Sequence, residues 1–504
     1  MPDQIVRVYP ASGGVAMLPL TPENNYTPTV IFCGGSNMTD FQWGNYSWPF
    51  EDTWNVPASK KCHTITPEPT DGSAVEYVED DDMFVGRTMG QFIALPDLTL
   101  LIVNGGANGT AGYSTRTLNT LEMPYGMSLA AAPVGQPAVY NPRAPKGSRW
   151  SNTGFGTSNI PRLYHSSAIL LPDASVLIAG SNPNVDVNTS TYFPTTYQAE
   201  VFYPSYFAAT NRPTFTGAPK TLSYGGNSFD LTLPSSAYSG SANDAADNTT
   251  VVLIRGGWTT HAMNMGQRIM QLNNTYTVNS DGSITLHVAQ LPPNPNLFQP
   301  GPAMLFVTVA GIPSNASWVT IGTGNIETQP TQAASSLPAS VRLDGVSGSG
   351  SSNNNSGSSG SSKDNSASSS HTGAIVGGII AAIAAVGILG AVFGIYMARR
   401  RRAAARQASS LSYPMSSAPG GAAGSRMATG AGAGYRGSDS SAFVPLQGNE
   451  STTWGPGPNM HPAGASTMNL NSPYFDEPRS HSTEFDPYHQ NVPRMSADQR
   501  RGPF

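Results

Sequence analysis

The chain has 504 residues and only two cysteines, Cys33 and Cys62. So small a supply excludes a disulfide-dense scaffold. The flanks Cys33-Gly34-Gly35 and Cys62-His63 lack the paired spacing of a structural metal site. In an exported domain the default reading is one disulfide closing a loop of about thirty residues. Free buried thiols and a metal pair stand beside it as alternatives. Charge is scarce as well: 11% of residues, against a usual ~25%. The net charge is −5 and no basic stripe precedes residue 399, which excludes a nucleic-acid partner. No amphipathic helix stands out. The opening Met1-Pro2-Asp3-Gln4-Ile5-Val6-Arg7 is neither the basic region nor the apolar run of a secretory signal.

One long apolar run is present. From Gly373 to Met397 no charged residue occurs, and Arg399-Arg400-Arg401-Arg402 follows. A span needs ~20 apolar residues at 1.5 Å rise each, so 373–397 is expected to be a single transmembrane helix. Positive residues stay on the cytoplasmic side. The domain ahead of the run is therefore expected outside the plasma membrane and the C-terminus inside. Gly373/Gly377 and Gly390/Gly394 have small-xxx-small spacing, which suits a helix-mediated dimer. Nine Asn-x-Ser/Thr sequons precede the run and only Asn449 follows it, in keeping with an exported N-terminal region. An exported domain needs a signal, and none is visible. The expectation is that an N-terminal part, with the signal, is missing.

Composition divides the rest. Residues 326–372 are rich in Ser, Gly and Asn and read as a stalk. Residues 398–504 are poor in aliphatics and read as a disordered cytoplasmic tail. The folded part has short β-patterned runs such as 15–20, 98–103, 175–178 and 249–254, broken by Gly and Pro. A repeat is visible within it. Arg87 precedes Leu95-Pro96-Asp97-Leu98-Thr99-Leu100-Leu101-Ile102, and Arg162 precedes Leu171-Pro172-Asp173-Ala174-Ser175-Val176-Leu177-Ile178. A more distant copy runs from Ser12 to Gly35. Each is strand, turn, strand, as in a kelch-type blade. At ~50 residues per blade, 1–210 holds about four blades of an incomplete β-propeller. Residues 211–325 alternate like an immunoglobulin-like sandwich. The fold class expected is all-β.

Two stretches carry chemistry: Pro161-Arg162-Leu163-Tyr164-His165-Ser166, and Thr260-His261-Ala262-Met263-Asn264-Met265-Gly266-Gln267-Arg268. Two imidazoles and a phenolate suit Cu(II). Neighbours on a regular strand face opposite ways, so Tyr164 and His165 can share a metal only where the strand ends or bends. The plainer readings are a packed blade histidine for His165 and a loop histidine for His261.

These stretches, with Tyr9-Pro10-Ala11-Ser12-Gly13-Gly14, Cys33-Gly34-Gly35-Ser36, Gly180-Ser181-Asn182-Pro183 and Gly311-Ile312-Pro313-Ser314-Asn315-Ala316-Ser317-Trp318, resemble the fungal glyoxal oxidases. Those belong to the copper radical oxidases, with galactose oxidase. The resemblance implies a propeller followed by an immunoglobulin-like early set domain. It implies one copper ion, small aldehyde or alcohol substrates, O2 as oxidant and H2O2 as product. On this match Tyr164 is the axial tyrosine and catalytic base, and His165 and His261 are copper ligands. Cys33 and Cys62 match a family disulfide. The family's equatorial tyrosine, cross-linked by a thioether to a cysteine, lies in a motif similar to Arg-Trp-Tyr-Pro, which does not occur here. The chain as written is therefore expected to fold poorly and to lack activity. The rival expectations are a non-catalytic surface propeller that binds carbohydrate or wall components, and an alcohol oxidase of galactose oxidase type.

Overall fold

The computed structural model describes residues 2–45, 48–260, 263–350 and 443–445. The run 373–397 lies outside the described residues, as does nearly all of 398–504. Among the described residues no helix is long and apolar enough to cross a membrane.

Three antiparallel meanders make up the N-terminal part. The first joins Gly14–Met17, Val30–Cys33, Cys62–Ile65 and Tyr77–Glu79 in chain order. The second joins Gln91–Ala94, Leu100–Val103, Ala138–Tyr140 and Trp150–Ser151. The third joins Ser167–Leu170, Val176–Ala179 and Ala199–Phe202, with Phe443–Pro445 as an outer strand. Among the described residues the N-terminal part shows three such meanders, where about four blades were expected. Residues 106–133 form a ribbon, Gly106–Tyr113 with Ser128–Pro133, inserted between the inner strands of the second meander. That insertion lengthens one repeat and imitates an extra one.

The repeat has a physical basis. In each Leu-Pro-Asp-x-Thr/Ser turn the Asp carboxylate accepts from the residue two positions on. Asp97 Oδ1 takes the Thr99 hydroxyl at 2.6 Å, and Asp173 Oδ1 takes the Ser175 hydroxyl at 2.6 Å. The residue between turns left-handed: φ is 64° at Leu98 and 70° at Ala174. The repeated arginine is a clamp. Arg87 donates to the Asn104, Val134 and Gln136 carbonyls. Arg162 donates to the Gly180 and Gln198 carbonyls, each at 2.8 Å, and pairs with Glu200 at 2.8 Å. Each guanidinium thus ties the end of its own second strand to the start of its third. Both arginines are buried, so these acceptors offset the loss of water.

The second part is a sandwich. One sheet runs in the order Thr221–Leu222, Ser317–Ile321, Gly301–Val309, Thr249–Arg255, Arg268–Leu272. Facing it are Phe229–Leu233, Ile284–Val288 and Asn274–Val278. Leu231, Leu286, Val251, Leu305 and Ile321 fill the space between. A short helix, Ala242–Asp247, is N-capped by Ser241, whose hydroxyl accepts from the Asp244 amide.

The expected stalk begins too early. Thr331–Ala334 pairs with Tyr224–Gly226, and Ser347–Ser349 pairs with Ser239–Ser241. Arg342 pairs with Asp247. Sandwich edges offer free backbone groups, and a polar segment satisfies them through its own backbone. Hydropathy does not register such pairing. Phe443–Pro445 likewise lies in the stretch read as a disordered tail, yet runs antiparallel to Ala199–Phe202.

Candidate metal site

Cys33 and Cys62 are joined in a disulfide between paired strands. No free cysteine remains.

Tyr164 and His165 lie in a turn directly ahead of the strand Ser167–Leu170. His165 adopts φ 63°, a left-handed conformation that is uncommon for a residue with a Cβ. The two rings stack, with centroids 3.8 Å apart and 29° between planes. Strand geometry would have separated them.

The turn is held from several directions. The Tyr164 carbonyl accepts from the Asn182 amide at 2.7 Å, and His165 Nδ1 donates to the Asn182 carbonyl at 2.9 Å. A carbonyl only accepts, so Nδ1 carries a proton; in the neutral ring this leaves the Nε2 lone pair for a metal. The Leu163 amide donates to Ser181 Oγ. Gln91 Nε2 donates to the Ser166 carbonyl at 2.7 Å.

Tyr164 is 6% exposed, packed with Leu163, Met89 and Phe193, while His165 is open to solvent. Burial raises the Tyr164 phenol above the ordinary tyrosine value, and a hydrogen bond with Tyr9 adds to the shift. The phenol is thus neutral in the metal-free protein at ordinary pH.

His261 lies outside the described residues. The strands flanking it in sequence, Trp258–Thr260 and Met263–Met265, pair as a hairpin. That hairpin packs against the first strands of all three meanders, Gly14–Met17, Gln91–Ala94 and Ser167–Leu170. Asn264 Nδ2 and Gln267 Nε2 both donate to the Phe92 carbonyl, at 2.9 and 2.7 Å. Gln267 Oε1 accepts from the Ala94 amide at 3.0 Å. The Gln267 carboxamide therefore serves the Gln91–Ala94 edge as one peptide unit of a neighbouring strand would. Gln91, on the same strand, reaches the Tyr164–His165 turn.

The donors fit copper as far as they are described. A phenol oxygen and a free imidazole Nε2 share one turn, and the Nδ1 bond to a carbonyl is the usual orienting partner of a ligating histidine. Among the described residues no three His, Cys, Asp or Glu side chains gather into another site. His63 and His287 are engaged elsewhere, with Arg7 and with Asp230 and Thr277. Reading the sequence assigned no role to Tyr9, Gln91, Asn182, Asn264 or Gln267. Four of them, all but Gln91, stand inside stretches already singled out, and the signal there was polar side chains or tight turns beside the ligand pair.

Residues 1–206 match the family described as "Glyoxal oxidase N-terminus", and residues 212–321 match "Galactose oxidase-like, Early set domain". An aldehyde oxidase GLOX of Vitis pseudoreticulata is 33% identical over 320 residues, covering 62% of this chain and 54% of the relative. A galactose oxidase of Gibberella zeae is 26% identical, covering 62% of this chain and 41% of the relative. A solved fungal alcohol oxidase of the AA5 family, in complex with copper, overlays with a TM-score of 0.43 at 20% identity, covering 62% of this chain and 54% of that one. The chain spans about half the length of the curated relatives it matches. Its residues 1–206 are thus similar to the glyoxal oxidase N-terminal region and its residues 212–321 to the galactose oxidase-like early set domain.

Proposed function

We propose that this chain carries the tyrosine–histidine half of a copper radical oxidase site of glyoxal oxidase type. The whole enzyme would oxidise small aldehydes to carboxylic acids with reduction of O2 to H2O2. The observation that supports this best is the Tyr164–His165 turn, where a left-handed residue brings a phenol and an imidazole to one side. His165 would bind through Nε2, with Nδ1 tied to Asn182. His261 would add a second imidazole from the 258–265 hairpin. The Tyr164 phenolate oxygen would accept the proton released by the bound substrate. Copper, when bound, supplies one one-electron acceptor and a charge that orients oxygen ligands.

Oxidising an aldehyde hydrate removes two electrons, so a second one-electron site is required. In the family this is the cysteine-linked tyrosine. Here both cysteines are bonded to each other, and no Arg-Trp-Tyr-Pro stretch occurs. Residues 1–504 alone are therefore proposed to bind copper without completing the cycle. The test uses the full chain titrated with Cu(II). His165→Ala, His261→Ala and Tyr164→Phe should each weaken binding about tenfold or more, as loss of a ligand does. Unchanged copper content in the histidine variants refutes the site. Methylglyoxal should yield no H2O2; a sustained yield overturns the requirement for the missing half.

The surface location is part of the proposal. Residues 373–397 would tether the protein to the plasma membrane with the early set domain outside, so that H2O2 forms at the outer face. Extraction of the full chain from membranes by alkaline carbonate, without detergent, would sink the tether.

A further inference from the structure

Tyr9 stands beside the proposed ligand pair and has no part in the reading above. It lies ahead of the first strand, about 150 residues before Tyr164 in sequence. Its ring centroid is 6.3 Å from that of Tyr164, at 38° between planes. The two side chains share a hydrogen bond that raises the Tyr164 phenol, so in the metal-free protein Tyr164 donates and Tyr9 accepts. Tyr9 is half-buried and packs against the apolar group that walls Tyr164.

The segment holding Tyr9 is rigid for local reasons. The Ser12 amide donates to the Val8 carbonyl at 2.9 Å, and the Gly13 amide to the Arg7 carbonyl at 2.9 Å. The Ala111 amide bonds the Pro10 carbonyl at 2.7 Å, tying the segment to the 106–133 ribbon. Gly112 of that ribbon lies beside the ring: a Cβ there would stand 3.7 Å from the Tyr9 hydroxyl, in ordinary contact. Tyr164 is therefore stacked on His165 at one face and fixed at its oxygen end by a hydroxyl from a distant, well-anchored segment. Aromatic packing sets the plane of a ring but leaves its polar end to hydrogen bonding.

Resting on the reading of Tyr164 as a copper ligand, we infer that Tyr9 is a positioning residue: it accepts from the Tyr164 phenol in the metal-free protein and, once that proton has left, turns its own hydroxyl to donate to the Tyr164 phenolate oxygen and fix it for the metal. A phenolate that accepts a hydrogen bond holds its electrons more tightly. Its charge transfer to Cu(II) then lies at higher energy. The experiment records the absorption spectrum of the full chain during Cu(II) titration. Tyr164→Phe should abolish the phenolate-to-copper band; a band that survives unchanged refutes the ligand reading itself. Tyr9→Phe keeps the ring and removes only the hydroxyl. Its band should move to longer wavelength, because the phenolate oxygen then lacks its donor. Tyr113→Phe removes another nearby hydroxyl and should match the parent. If Tyr9→Phe superimposes on the parent while Tyr164→Phe loses the band, the positioning role is wrong and the ligand reading stands. If Tyr113→Phe shifts the band as far as Tyr9→Phe, the effect is one of general polarity and the specific role of Tyr9 is overturned.

Discussion

Replacing Gln267 by leucine tests whether one side chain locks the two parts of the molecule together. Gln267 is buried and makes two hydrogen bonds with the Gln91–Ala94 strand, donating to Phe92 O and accepting from the Ala94 amide. Leucine has nearly the same volume, so little cavity forms. The Phe92 carbonyl keeps its bond from Asn264, and losing the second donor costs about 0.5–1.5 kcal/mol. The Ala94 amide is left buried without a partner, at about 1–3 kcal/mol. The sum is roughly 1.5–4.5 kcal/mol. Urea unfolding of the full chain reads the change. Hydrogen exchange at the Ala94 amide reads its origin, because that amide alone loses its acceptor. Asn264→Leu by itself should cost only the one donor, about 0.5–1.5 kcal/mol, since Gln267 still serves Phe92 O. The double variant should cost about 1 kcal/mol more than the sum, because the carbonyl then has neither donor. A Gln267→Leu change under about 0.5 kcal/mol, with additive behaviour in the double variant, would refute the clamp.

Other consequences can be checked separately. Arg162→Met should cost about 3–5 kcal/mol, because it leaves the buried Glu200 carboxylate without its cation; adding Glu200→Leu should restore much of the loss in the same urea assay. Removing the disulfide through Cys33→Ala and Cys62→Ala should cost about 3–4 kcal/mol, from the entropy of a loop of 29 residues' separation; a shift under 1 kcal/mol would show that the loop is already restrained in the unfolded chain. His63 is buried, accepts at Nδ1 from Arg7 and is held below its ordinary value of 6.5, first by burial and then by the Arg7 charge. The folded state thus binds this proton more weakly than the unfolded state does. The stability contributed is present above pH 6.5 and is lost as pH falls below it. His63→Phe should flatten the urea midpoint between pH 7.5 and 5.5, and an unchanged slope would assign the acid sensitivity elsewhere.

The repeat was legible because its turn chemistry is local. Asp97 and Thr99, or Asp173 and Ser175, bond within three residues, so their spacing in sequence is their spacing in space. The same holds for alternation in Phe229–Leu233, which pairs as read. The 106–133 ribbon was not legible, because an inserted pair of strands has the same texture as the blade around it. The folding of Thr331–Ala334 and Ser347–Ser349 onto the sandwich was invisible for another reason: backbone pairing of polar residues leaves no hydropathic trace. At the candidate site, Tyr164 and His165 were singled out by residue type, and the turn that brings their rings together is the bend that strand geometry required. Their support was not. Asn182 acts through its backbone, and Gln91 and Gln267 act on carbonyls 75 and 175 residues away. Contacts of that range set no pattern within either segment.

The outer strand of the third meander bears directly on where the protein resides. Phe443–Pro445 follows the apolar run, while Ala199–Phe202 precedes it. If 373–397 spans a membrane once, these two strands lie on opposite sides and cannot pair in one molecule. Three residues of edge pairing give few hydrogen bonds, each worth about 0.5–1.5 kcal/mol net, set against closure of a loop of some 240 residues. Insertion of the apolar run is worth far more: at ~0.8 kcal/mol per buried CH2, its isoleucines, leucine, valines and phenylalanine outweigh that pairing. In a membrane the strand is therefore expected to detach, leaving the Ala199–Phe202 edge free. In the absence of lipid the pairing has no competitor. Amide exchange along Ala199–Phe202 should then be slow in lipid-free protein and fast in nanodiscs. Equal protection in both settings would mean that the run does not cross, and the tether would have to be abandoned while the copper site stood on its own residues.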